Sequence, residues 1–133
     1  MGARETAEPG FLADVTRDLV QLHLEYYGKG PKKARSYMVN DTLISILKGG
    51  FTTVETTLID EGKAGTVHEM RRSFQAAMEE RFRGVVERAT GRGVIAYMSQ
   101  IHTDPDLAVE LFMLEPVTDG IVAEHQVDLD GTD

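Results

Sequence analysis

Seven apolar residues, Val67, Met70, Phe74, Met78, Phe82, Val85 and Ala89, recur at steps of three and four, and no other feature of the chain limits its fold as much. At 3.6 residues per turn they form one stripe along a helix of about six turns. Glu69, Arg71, Arg72, Glu79, Glu80, Arg83 and Glu87 are expected on its wet side, and Gly91 supplies a left-handed cap. Such a stripe needs an apolar surface to lie on, so the rest of the chain must provide a second layer.

A second amphipathic helix is expected over Phe11–Tyr26, where Phe11, Leu12, Val15, Leu19, Leu22 and Tyr26 keep the helical step and Gly28 stops it. Val20, Leu24 and Tyr27 widen the stripe at its C-terminal end. The two remaining structured stretches read as hairpins. Arg35–Val39 and Thr42–Leu47 flank Asn40-Asp41, a pair that tolerates the positive φ of a two-residue turn. Val94–Ile101 and Ala108–Leu114 flank His102-Thr103-Asp104-Pro105-Asp106. Between the first hairpin and the long helix, Thr52 followed three residues on by Glu55 has the form of a capping box, which predicts a short helix through Leu58 and Ile59.

The fold class is therefore α+β: a two-layer sandwich of a four-stranded antiparallel sheet, built from two β-hairpins, and two long helices, in the order α-β-β-α-β-β. Residues 1–10 are expected to be a flexible N-terminus, 11–115 a single α+β domain, and 116–133 an acidic C-terminal tail that is loose or partly docked. A chain of 133 residues suits one domain, and 41% hydrophobic with 27% charged residues is an ordinary globular balance.

Composition excludes several functions. With no cysteine there is no disulfide, thiolate nucleophile or cysteine-bound metal. No apolar stretch nears the roughly 18 residues of a spanning helix, and Glu5, Glu8 and Pro9 occupy the place of a signal-peptide core, so a cytoplasmic protein without direct membrane insertion is expected. The net charge is −8, with Asp119, Glu124, Asp128, Asp130 and Asp133 unrelieved by any Lys or Arg after Pro116. That is the wrong sign for a nucleic-acid backbone.

Candidate chemistry is sparse. Gly28–Arg35 gathers basic residues beside two glycines, so Lys29, Gly30, Lys32, Lys33 and Arg35 form a candidate anion-binding loop, weighed against a helix C-terminus whose dipole simply favours cations. It lacks the final Gly-Lys-Ser/Thr of a phosphate-binding P-loop and leads into a strand. The histidines at 23, 68, 102 and 125 show no metal-ligand spacing, and His102 with Asp104 is the nearest His–carboxylate pair. No serine sits in a nucleophile elbow and no glycine-rich dinucleotide fingerprint occurs, so no catalytic residue, metal or cofactor is assigned.

The two-residue hairpin loop puts Arg35, Tyr37 and Val39 on one sheet face with Thr42, Ile44 and Ile46, and Ser36 and Met38 on the other with Leu43, Ser45 and Leu47. Both faces carry apolar side chains, and one layer of helices covers one face. A homodimer or larger assembly is expected, through the second face or the wide end of the first helix.

The ordered set Gly28-Lys29-Gly30-Pro31 into Ala34-Arg35, Asn40-Asp41 with Leu43, Phe51-Thr52-Thr53-Val54-Glu55, Arg71-Arg72, and Ala89-Thr90-Gly91-Arg92 resembles the MpsC family of small bacterial domains, from about Phe11 to Leu114. Where members commonly show Leu-Thr-Pro-Ala-Glu, this chain has Phe51–Glu55; the capping Thr and Glu remain and the N1 proline is lost. The resemblance implies association with a sodium-translocating, membrane-potential-generating system. A chain without a spanning segment would serve there as an accessory to membrane subunits, at the inner face of the membrane through a partner. The resemblance supplies no catalytic residues. A small-anion sensor using the Gly28–Arg35 loop is the alternative.

Overall fold

The computed structural model describes residues 3–117 together with Val127 and Leu129. The elements are α1 (Ala3–Tyr27), β1 (Lys33–Val39), β2 (Thr42–Lys48), α2 (Thr53–Asp60), α3 (Ala64–Thr90), β3 (Val94–His102) and β4 (Leu107–Leu114). The expected two-layer α+β sandwich is present, with the short helix α2 added ahead of the second long helix. Apart from Pro116, Val117, Val127 and Leu129, the expected acidic tail lies outside the described residues. Helix α1 begins at Ala3, well before the apolar stripe starts at Phe11, and so takes in most of the stretch expected to be a flexible terminus.

All strand pairs are antiparallel and the order is β1-β2-β4-β3, which places the second strand of each hairpin at the centre of the sheet. Asn40, at φ 54°, makes the left-handed turn that sets Val39 opposite Thr42. The resulting face assignment is the expected one: Leu43, Ser45 and Leu47 are buried, while their neighbours Ile44 and Ile46 point to the other side. A bulge between Val94 and Ala96 turns Ile95 outward before alternation resumes with Tyr97, Ser99 and Ile101 inward.

Helices α1 and α3 lie side by side on the inner face. Val15 and Leu19 from α1, Met78, Phe82, Val85 and Val86 from α3, and Leu43, Val94, Phe112 and Leu114 from the sheet form the main core. Phe82 and Phe112 are wholly enclosed, and burial of a side chain of that size contributes about 1.5–3 kcal/mol. A smaller cluster of Phe51, Val67 and Ile101 joins α2, through Leu58 and Ile59, to the far end of the sheet.

The helix ends follow local chemistry. Thr52 Oγ1 accepts from the Glu55 amide at 3.0 Å and Glu55 Oε1 accepts from the Thr52 amide at 2.9 Å, completing the capping box. Gly91, at φ 71°, closes α3 with its amide donating to the Glu87 carbonyl.

One expectation for α3 fails. Arg71, placed on the wet side by its charge, is only 5% exposed and faces the core side with Val67, Gln75 and Met78, whereas Met70 is 39% exposed. The cause is a counter-charge that α2 delivers from outside the helix.

Candidate functional site

Three features gather the functional groups. The first is a buried ion pair at the end of the sheet where the Gly28–Pro31 and Gly49–Phe51 connections meet. Arg71 Nε and Nη2 donate to Glu55 Oε2 and Oε1, both at 2.7 Å, and Nη2 also donates to the Gly50 carbonyl at 2.9 Å. The Tyr27 hydroxyl donates to Glu55 Oε2, and the guanidinium lies 4.1 Å from the Tyr27 ring centroid. Burial alone would push the Glu55 carboxyl up, but Arg71, Tyr27 and the Thr52 amide together hold it below the usual range. Burial, with the Glu55 carboxylate beside it, pushes the Tyr27 phenol up to about 12. His23, stacked on Phe82 with centroids 5.1 Å apart, is lowered by burial and accordingly neutral, its Nδ1–H donating to the Leu19 carbonyl. The cavity that His23, Lys29, Arg71 and Asp106 line measures about 10 Å³, room for about one water.

The second feature is a polar rung across the inner face. Ser36, Ser45, Glu110 and Ser99 are direct cross-strand partners, one from each strand. Thr16 of α1 donates to Ser36 Oγ at 2.7 Å, and Ser36 and Ser45 share a hydrogen bond of 2.7 Å. Glu110 is wholly buried; Ser99 donates to its Oε2 at 2.8 Å and the Tyr97 hydroxyl donates to Oε1. Its carboxyl is pushed up to about 7 by burial, which the two hydroxyl donors and the more distant Arg71 only partly offset. Burial and the adjacent carboxylate push the Tyr97 phenol far up.

The third is the outer sheet face, which no helix among the described residues covers. Ile44, Ile46, Val109 and Leu111 form its centre, and Tyr37, Val39 and Met98, 41%, 55% and 54% exposed, its margin. At one corner Lys33 stands directly opposite Lys48, and Arg35, one step along the strand face, points the same way. Like charges in direct cross-strand register repel, and among the described residues this face carries no carboxylate to relieve them.

The five residues of the candidate anion loop do not all converge on one place. Lys29 lines the small cavity with His23 and Arg71, and Gly30 lies against Val20 and Leu24 of α1. The Lys32 amide donates to the Lys48 carbonyl and its methylenes rest near Gly49. Lys33 and Arg35 come together on the outer face, where Lys48 and Tyr37 join them around a depression of about 190 Å³, and with Lys32 they also edge an open groove of about 720 Å³ beside Arg17 of α1. Strand alternation divides residues that adjacency in sequence had grouped. His102 is exposed and its Nδ1 bonds the Pro105 carbonyl, so it does not engage Asp104. Among the described residues no three His, Asp or Glu side chains gather as a metal site would need, and no helix is long and apolar enough to cross a membrane.

A family model described as the Na+-translocating membrane potential-generating system (MpsC) matches residues 11–116. The chain belongs to the MpsC family. No curated protein and no solved structure matches it. Within this MpsC chain, the motifs that carried the resemblance are structural in large part. Asn40-Asp41 is the hairpin turn, Thr52 and Glu55 form the cap, and Arg71 is the partner of Glu55. Sequence reasoning missed Glu110; its signal was a carboxylate in step with Phe112 and Leu114 along β4.

Proposed function

We propose that this MpsC chain is a non-enzymatic accessory module that docks, through its outer sheet face, on a membrane-integral component of the sodium-translocating system its family is named for. The observation that carries this reading is the exposed, apolar-centred sheet face with a basic corner and, among the described residues, no carboxylate. A surface of that make-up is suited to an apolar partner segment that brings carboxylates to Lys33, Arg35 and Lys48. The buried carboxylates do not favour an enzyme, because the cavity at Arg71 has space for about one water and Glu110 is enclosed.

Sedimentation with membrane vesicles from the native host, prepared with and without the integral components, tests the reading. The chain is expected to sediment only with vesicles that hold them, and Leu111→Glu is expected to weaken binding at least tenfold while leaving the circular dichroism unchanged. Sedimentation that ignores either difference overturns the proposal. Self-association through the same face, or through Leu24 and Tyr26 on the exposed side of α1, belongs to this reading and is checked by light scattering at micromolar concentration. The Lys33, Arg35 and Lys48 corner supports a second reading as a small-anion sensor, which fails if phosphates, nucleotides, bicarbonate and carboxylates all leave the melting temperature unchanged.

A further inference from the structure

Glu110 lies where a carboxylate is least expected, wholly buried at the centre of β4, in the strand position between the inward-facing Ala108 and Phe112. Its surroundings are hydroxyls. From β3 Tyr97 and Ser99 donate to it, and from β2 its cross-strand neighbour is Ser45, itself bonded to Ser36 and through it to Thr16 of α1. The charged groups that act on this cluster come from α3. Arg71 has its guanidinium committed to Glu55 and the Gly50 carbonyl, and Glu79 acts on Tyr97 with the sign that disfavours further negative charge. From α1 comes His23, neutral, which stacks on the Phe82 ring that Tyr97 meets edge-on. Among the described residues no cation touches the Glu110 carboxyl.

We propose that Glu110 is a proton-binding site, taking up and releasing one proton while the chain stays folded, and that the hydroxyls of Tyr97 and Ser99 are its switching partners. Uptake transfers one proton from bulk water to a carboxylate oxygen; no bond to carbon changes, and the chain becomes one unit less negative. Ionised, the carboxylate accepts from both hydroxyls. Protonated, it must itself donate one hydrogen bond, so one of the two hydroxyls turns from donor to acceptor. The rise in the Glu110 carboxyl, to about 7, agrees with this geometry. Val109 and Leu111, its neighbours in the chain, form part of the outer face, so the protonation state is held one residue away from the docking surface on both sides.

Carboxyl-carbon NMR of the full chain labelled at glutamate, titrated from pH 4.5 to 9, tests the proposal in the wild-type protein. Glu110 is expected to titrate at least one unit above the ordinary range of a glutamate carboxyl, and Ser99→Ala, by removing a donor to the ionised form, to raise its midpoint by about half a unit or more. Assignment uses Glu110→Gln, or the signal that Ser99→Ala displaces if the glutamine variant does not fold. A Glu110 signal that titrates in the ordinary glutamate range, or that stays constant from pH 4.5 to 9, overturns the site. An unmoved midpoint in Ser99→Ala overturns the switching role of the hydroxyl.

Discussion

Glu55 and Glu110 are both completely removed from water, yet the fold shifts them in opposite directions. Glu55 receives a guanidinium in bidentate contact, a phenol and a backbone amide; Glu110 receives two hydroxyls. The comparison teaches that enclosure alone raises a carboxyl, and that a contacting cation with several donors is needed to reverse it. One site fixes α2 against α3 with a permanent charge. The other holds a charge that neutral solution can remove.

The largest expected effect comes from breaking the pair. Arg71→Met leaves Glu55 enclosed without a counter-charge, and urea unfolding at pH 7 should show a loss of about 3–5 kcal/mol. A loss below about 1 kcal/mol would mean that solvent reaches Glu55.

Next is the pH profile that Glu110 imposes. Its folded pKa lies above its unfolded value, so the folded state binds the extra proton, and the stability it contributes is full below about pH 4.5 and lost as the pH rises through about 7. The full span corresponds to about 3 kcal/mol, and Glu110→Gln should flatten it. His23 acts with the opposite slope. Its lowered folded pKa makes its stabilisation complete above about pH 6.5 and lost as the pH falls toward the lowered folded value. Profiles are therefore best compared between the wild type and Glu110→Gln over pH 4.5–8, because His23 is common to both and its contribution cancels in the difference. Glu55 shows the ordinary acid limb, with its contribution present above about pH 4.5 and lost as the pH falls through its depressed folded value.

A smaller difference separates the donors. Tyr97→Phe removes one bond to Glu110, and chemical denaturation should report a loss of about 1.5–3 kcal/mol at pH 8, where the acceptor is charged, and about 1 kcal/mol at pH 5, where it is neutral. Equal losses at the two pH values would erase the proposed distinction between the sites. The smallest effect is expected at the cap, where Thr52→Ala should cost about 1 kcal/mol by thermal or urea unfolding.

What was legible in the sequence was local. The Asn40-Asp41 turn, the Thr52–Glu55 cap, the Gly28 and Gly91 stops and the period of α3 each depend on residues within a few positions of one another, and each stands in the structure. Arg71 was not legible, because one arginine among Glu69, Arg72 and Glu79 looks like any solvated charge until Glu55 arrives sixteen residues away in sequence. Glu110 was hidden for a different reason. Both faces of the sheet are apolar, so alternation along β4 groups it with Phe112 without revealing which set is enclosed. How the basic loop divides was not legible either, because nearness along an extended chain sends successive side chains to opposite faces.

The central position of β2 and β4 bears on how the chain reaches its native state. Each hairpin closes over a few residues, but the seam between them joins Lys48 to Leu107 and Thr42 to Met113, after two helices have been threaded between. Ordering so much intervening chain before that seam can zip slows folding relative to a helical bundle of the same size. Substitutions at Ile46 or Val109 should accordingly act mainly on the late docking of two preformed halves, a kinetic division that stopped-flow refolding of variants in each hairpin would expose.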